Sequence, residues 1–233
     1  MNKKIEFLEK KIGLKFKNRN LLQNVFIHRS YLNEHRNYHL ASNEKLEFLG
    51  DSVLSLITSI YLYKNYPELQ EGDYTDIKSA IVCTDSLFQA AKNLSLGDFL
   101  YLSKGEDKSG GRSNINILAD CYEALIAAVF LDFGFNRAYQ FVEKTLFEQK
   151  LDYIIKNKLY LAPKTRLQEY VQAKFKIIPV YKLVETQGPE HNKTFKIEVF
   201  VQGKKLGSGS GKSKKEAEEI AAKNALEKIK FLI

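Results

Sequence analysis

Residues 43–54 read NEKLEFLGDSVL, and residues 117–134 read ILADCYEALIAAVFLDFG. In the first stretch Glu44, Glu47 and Asp51 stand at helical offsets of 0, 3 and 7, which puts all three on one face of a helix. Ser42 and Asn43 are both good N-caps for that helix, and its pattern runs to about Lys64, ahead of Pro67. From Ser52 to Tyr63 it carries no charge for 12 residues, so its far end is apolar around most of its circumference and suited to burial. The second stretch predicts a helix from about Asn116 to Phe133 with Gly134 as its stop. It places Asp120 and Glu123 three apart, and Ala124, Ala127 and Phe130 extend the same face. Acids on buried helix faces cost on the order of several kcal/mol each unless something pairs with them. Lys45 is the only cation within 44–63, and none lies within 117–133.

A cation from solution resolves this conflict. Carboxylate-only ligands favour a hard ion such as Mg²⁺ or Mn²⁺ over zinc. Glu47, Asp51, Asp120 and Glu123, brought together by two packed helices, would suit one or two such ions and metal-assisted attack of water on a phosphodiester. Spacing alone leaves the alternative open, in which these acids cap helices, bind loop amides or sit at the solvent edge.

Outward from these helices the chain divides in two. Residues 1–150 hold 19 Lys+Arg against 19 Asp+Glu, whereas residues 151–233 hold 17 against 9, the whole net charge of +8. The asymmetry predicts a neutral body with a basic appendage for a polyanion, a solvated basic surface being the alternative. In the body, helices are expected around Ile5 to Ile12, after Asn18 through Val25, over much of 73–94 and over roughly 136–149. A polar stretch runs from Ser30 to Ala41, and a Gly/Ser-rich loop lies between Lys104 and Asn116. After Pro163 come a helix over 164–175, alternating segments at 180–186, 194–202 and 204–208, and a closing helix from Ser213 to about Lys230. Phe195, Ile197, Val199 and Val201 face one way, with Lys196, Glu198, Phe200 and Gln202 between them, a strand's period of two. The fold class is therefore mostly α: a helical domain over 1–150, then a small α-β-β-β-α domain over 161–233.

Cys83 and Cys121, far apart and each inside an apolar segment, exclude a disulfide scaffold and a cysteine-built zinc site. The 12-residue uncharged run is too short to span a bilayer, and the N-terminus lacks a signal peptide's order. The chain reads as a soluble protein of a reducing cytoplasm, with no membrane partner.

NEKLEFLGDSVL resembles the ribonuclease III family signature NERLEFLGDAVL, with Lys45 for Arg and Ser52 for Ala. HRSYLNE (His28 to Glu34), EGDYTDIKSA from Glu71 and ILADCYEALIAAVFLD from Ile117 resemble the same family, in family order. The resemblance implies that Glu47, Asp51, Asp120 and Glu123 are metal ligands, Asp51 and Glu123 being catalytic. It makes Glu44 and Glu71 further acids of the catalytic valley, and Phe48 an aromatic that inserts into the partner subunit of a homodimer; an ordinary core Phe is the other reading. Asn116 stands where a Ser usually precedes Ile-Leu-Ala-Asp, and Cys121-Tyr122 replace smaller residues.

The last 70 residues resemble a double-stranded-RNA-binding domain through PKTRLQEYVQ, GPEHNKTFKIEV and GKSKKEAEEIAAKNAL. Ser213 with Glu216 three residues later predicts a capping box. Lys212, Lys214 and Lys215 crowd the same helix N-terminus, where the dipole disfavours cations, and phosphates would compensate. By the resemblance Gln168, Glu169 and Gln172 approach one minor groove, His191 reaches another, and the three lysines straddle the phosphates between. GSGSGKS suggests a nucleotide P-loop, but Gly207 and Gly211 have three residues between them where four are needed, so no nucleotide cofactor is expected. His35 and His39, four apart with His28 upstream, lack a third ligand in register for zinc.

The function implied is a Mg²⁺-dependent endoribonuclease, with Mn²⁺ able to substitute, that cuts double-stranded RNA as a homodimer. Products with 5′-phosphate, 3′-hydroxyl and a short 3′ overhang follow from the same resemblance, as does a role in ribosomal-RNA precursor and mRNA processing. The alternatives are a catalytically silent RNA-binding or ribosome-associated protein, and a structural helical protein with a basic tail. Retention of the four carboxylates argues against the first, and metal binding would exclude the second.

Overall fold

The computed structural model describes residues 2–189 and 192–230. The chain divides into two compact units, Met1–Tyr160 and Leu161–Ile233. The first is all-helical: α1 (Asn2–Ile12), α2 (Arg19–Asn24), α3 (Arg29–Glu34), α4 (Glu44–Asn65), α5 (Glu71–Ile81), α6 (Thr84–Asn93), α7 (Lys104–Lys108), α8 (Ile115–Phe133), α9 (Phe135–Val142) and α10 (Glu148–Lys156). The second holds α11 (Pro163–Phe175), strands β1 (Val180–Gln187), β2 (Thr194–Val201) and β3 (Lys204–Gly211), and α12 (Lys214–Lys230).

The centre of the first unit is α8, whose Leu118, Ala119, Cys121, Tyr122 and every residue from Ala124 to Val129 are buried. It packs along α4 and α6. α4 is long and apolar enough to cross a bilayer by length and composition alone. Here its Leu46, Val53, Leu54, Ile57 and Leu62 are buried in the helical core. Tyr122 fits this interior because its hydroxyl bonds the Thr145 hydroxyl at 2.6 Å and Thr145 in turn donates to the Phe141 carbonyl. A buried hydroxyl without such a partner would cost about 1–3 kcal/mol.

Four segments differ from the sequence expectation. The polar stretch after Ser30 contains α3, a short helix without apolar periodicity, held by a cap: the His28 ring accepts the Ser30 N–H. The helix expected over 73–94 is two, α5 and α6, broken at Val82 and an extended Cys83; Ser86 Oγ donates to Ala80 O, one of the carbonyls left over by the break. The Gly/Ser-rich loop holds α7, capped by Ser103 Oγ accepting from Glu106 N, and a short 3-10 turn at Gly111–Ser113. The helix expected over 136–149 continues to Lys156, through a π-helical turn at Glu143–Phe147.

In the second unit the strands form an antiparallel sheet in the order β1-β2-β3. One face carries α12, which packs on β3 and β2 and also against α11. Leu167, Val171, Val199, Val201, Ala221, Ala222 and Ala225 make its core. β3 explains the GSGSG run. A Cβ at Gly207 would lie 2.3 Å from Ala221 O, and one at Gly209 would lie 2.4 Å from Ala221 N. The glycines let the alanine face of α12 approach the strand, so the motif that mimics a P-loop is a packing device.

Candidate metal centre and nucleic-acid interface

Gly50 sets the distance between the two carboxylate helices. A Cβ there would meet Glu123 O at 1.9 Å and Glu123 C at 2.5 Å, overlapping backbone that cannot yield. Only a residue without a side chain lets α4 lie this close to α8. One turn before Gly50 stands Glu47, next to it stands Asp51, and across the contact stand Asp120 and Glu123.

The result is a cluster in which carboxylate oxygens of Glu47, Asp120 and Glu123 lie within 4.8 Å of one another. Asp51 is exposed and outside this trio, but its charge acts on Glu123. Burial, then the carboxylates of Asp51, Asp120 and Glu47, push the Glu123 carboxyl up to about 8. Burial also raises Glu47, with Asp120 and Glu44 adding to it and Arg29 opposing; burial raises Asp120, with His28 opposing. Lys45 is the only cation that the two segments carry, and the opposing charge on Glu47 comes from Arg29 at the start of α3. No ion pair joins any of the four acids to a base among the described residues. An all-oxygen donor set with unbalanced negative charge fits a hard divalent cation.

Beside the cluster lies a polar hollow of about 480 Å³, lined in part by His28, Arg29, Asn43, Glu44, Glu47 and Asp120. Glu44 is exposed at its rim, accepting from Ser42 Oγ at 2.6 Å and 3.8 Å from the Arg29 guanidinium. Glu71 sits at the first turn of α5, where Thr75 Oγ1 donates to it; it does not line the hollow. His28, Glu106, Asn114 and Asn116 also line the hollow, and none of them is among the site residues expected from the sequence. Burial lowers the His28 pKa, against the raising influence of Glu106. Asn114 caps α8, accepting the N–H groups of Asn116 and Ile117, so α8 begins at Ile115. Ser30 Oγ accepts from Ser103 N and Glu34 accepts from Lys104 N, binding α3 to α7 as one wall. The signal available in sequence is the HRSYLNE stretch, in which His28 precedes the capped helix α3. His35 instead stacks on Tyr31, with ring centroids 3.9 Å apart.

Phe48, on α4, is 79% exposed rather than a core residue, and Leu56 and Tyr63 on the same helix are 53% and 74% exposed. Offsets of 8 and 15 residues keep the three on one side.

In the second unit Gln168, Glu169 and Gln172 lie on the exposed side of α11, away from buried Leu167 and Val171. Lys214 and Lys215 are exposed on the first turn of α12. Lys212 Nζ donates to Asn192 Oδ1 at 2.6 Å, joining the β1–β2 loop to the entrance of α12. His191 lies outside the described residues. The cap differs by one residue from the expected box: Ser213 Oγ accepts from Glu216 N, but the Glu216 carboxylate takes the N–H of Lys212 rather than of Ser213.

Comparison with known proteins places these units. Residues 18–150 match the family model "Ribonuclease-III-like", and residues 163–229 match "Double-stranded RNA binding motif". The chain is 46% identical over 229 residues to ribonuclease 3 of Treponema denticola, covering 97% of this chain and 92% of that one. It is 47% identical over 228 residues to ribonuclease 3 of Caldanaerobacter subterraneus subsp. tengcongensis, covering 98% and 99%. Among solved structures, the nuclease domain of ribonuclease III from Campylobacter jejuni is similar at a TM-score of 0.58 and 35% identity, over 63% of this chain and 98% of that one; that structure is described as flexible in a region involved in dimer formation.

Proposed function

The chain belongs to the ribonuclease III family, and on that premise we propose that it is a divalent-metal-dependent endoribonuclease that hydrolyses double-stranded RNA. The observation that carries the reading is the packing of α4 on α8 through Gly50, which gathers Glu47, Asp120 and Glu123 with Asp51 beside them.

Glu47, Asp120 and Glu123 would hold the ion, Mg²⁺ or Mn²⁺, with Asp51 completing the acidic set from the exposed side. Such an ion supplies positive charge against the phosphodiester and a means of ionising water near neutral pH. The chain's own part is to keep the carboxylates close and mutually repelling, so that binding a cation relieves an electrostatic cost already present in the fold. Glu44 and Glu71 lie further out in the acidic valley. The products proposed are a 5′-phosphate and a 3′-hydroxyl with a short 3′ overhang, and the role is processing of ribosomal-RNA precursors and mRNA in the cytoplasm.

A homodimer is supported by Phe48, Leu56 and Tyr63, exposed on one side of α4 as apolar surface that a second copy would cover. The second unit adds affinity for the duplex: Gln168, Glu169, Gln172 and His191 suit 2′-hydroxyls, and Lys212, Lys214 and Lys215 suit phosphates.

The test is cleavage of a labelled perfect RNA duplex by wild type and Glu123→Ala, in Mg²⁺, Ca²⁺ and EDTA, with a binding shift in Ca²⁺. Cutting by wild type alone in Mg²⁺, with both proteins shifting the duplex, is the expected result. A shift without cutting in Mg²⁺ or Mn²⁺ would leave an RNA-binding protein and end the nuclease reading.

A further inference from the structure

The hollow beside the carboxylates has a wall that the acid cluster does not use. His28 Nδ1 accepts the Ser30 N–H at 3.3 Å and lies 2.8 Å from Ser30 Oγ. Ser30 Oγ already accepts from Ser103 N, which leaves its proton free to point at the ring. With Nδ1 assigned as the acceptor of the Ser30 N–H, the imidazole is neutral and its hydrogen sits on Nε2. That Nε2 has no hydrogen-bond partner among the described residues, although the ring lines the hollow. The Asn116 amide and Asn114 Nδ2 are in the same position, and Glu106 brings a carboxylate with no hydrogen-bond donor on it.

The wall therefore offers neutral donors from His28, Asn114 and Asn116 beside an acceptor from Glu106. The hollow is acidic overall, with Arg29 its one permanent cation among the residues that line it. A phosphate would meet this wall's Glu106 carboxylate with like charge. A hydroxyl, which donates and accepts without charge, matches the donor and acceptor set.

We propose that the hollow receives a ribose 2′-hydroxyl next to the phosphodiester being cut, and that His28 Nε2–H donates to it, making His28 a determinant of RNA over DNA at the cut itself. The proposal rests on the nuclease reading for its location. It differs from recognition by the second unit, because it acts at the cleavage position and through a different residue.

The experiment uses the full chain and an RNA hairpin with one cut site, mapped first with wild type. A second hairpin carries 2′-deoxy sugars only at the nucleotides flanking that site. kcat/KM is measured in Mg²⁺, and binding of the same hairpins is measured in Ca²⁺. Loss of one neutral hydrogen bond predicts that wild type weakens roughly tenfold on the deoxy hairpin in both measurements. His28→Phe should show that loss on the all-ribose hairpin and no additional loss on the deoxy one. His28→Gln, which keeps an amide donor near the Nε2 position, should recover most of the discrimination even if the α3 cap is weakened. Equal losses by His28→Phe on both hairpins, or wild type indifferent to the deoxy sugars, would overturn the proposal. Absence of cutting by wild type on either hairpin would refute the nuclease reading instead, and the binding comparison would still decide the contact.

Discussion

Replacing Glu123 by Gln should make the metal-free protein more stable near neutral pH while removing its metal-dependent activity. Glu123 is held at about 8 in the folded chain by burial and by Asp51, Asp120 and Glu47, against an ordinary value of 4.5. Between those values the folded state binds a proton that the unfolded chain does not, so native stability falls as pH rises through the window. Each unit of displacement corresponds to about 1.4 kcal/mol, which gives about 4 kcal/mol at pH 7.5 without screening. The carboxyl is partly open to solvent, and halving for screening leaves about 2 kcal/mol. Gln keeps the size and cannot ionise. In EDTA at pH 7.5 the variant should therefore unfold about 4–8 °C higher than wild type in the helical unit. At pH 5 the two should agree within about 0.5 kcal/mol, because the folded carboxyl keeps its proton and the unfolded one is only half a unit past its midpoint. Adding Mg²⁺ should raise the wild-type midpoint by mass action and move the variant much less. Urea unfolding followed by circular dichroism at both pH values measures this. A variant no more stable than wild type at pH 7.5, or stabilised equally at pH 5, would refute the electrostatic account of the cluster.

Gly50→Ala should destabilise the helical unit by about 3 kcal/mol or more, at the upper end of overpacking costs, because the new methyl meets the Glu123 backbone. Urea melts would show it, and cleavage should fall with the displaced carboxylates even where the unit still folds. Phe48→Ala should shift sedimentation-equilibrium profiles from dimer toward monomer with little change in the thermal unfolding of the separated subunits, since the ring contributes almost nothing to the subunit's own core. Replacing Lys214 and Lys215 together by Ala should weaken duplex binding and reduce the slope of log affinity against log salt by about one per lysine; an unchanged slope would place the phosphates elsewhere.

Much of the fold was legible because its signals are local. The offsets of Glu44, Glu47 and Asp51, the spacing of Asp120 and Glu123, the stop at Gly134 and the alternation through Phe195 to Val201 each depend on a few neighbours in sequence. The charge asymmetry and the family motifs are equally readable along the chain. The elements that escaped, α3, α7 and the break between α5 and α6, are held by caps from His28, Ser103 and Ser86 rather than by apolar periodicity. Pattern reading has no purchase on hydrogen bonds of that kind.

The chain by itself determined which carboxylates could share a helix face, which segments could become strands, and where the basic charge would collect. Tertiary packing decided the distances. Gly50 looked like an ordinary glycine inside a helix until the backbone of Glu123 was seen against it, and that contact draws Glu47, Asp120 and Glu123 together while leaving Asp51 at the exposed edge. Phe48 could have been core or surface, and the packing of α4 turned it outward. His28 lies 92 residues before Asp120 in the chain, yet the Ser30–Ser103 contact between α3 and the entrance to α7 sets its ring in the hollow beside that carboxylate. A local sequence pattern specifies which way a side chain turns about its own helix; which groups it then meets depends on how closely two helices can approach.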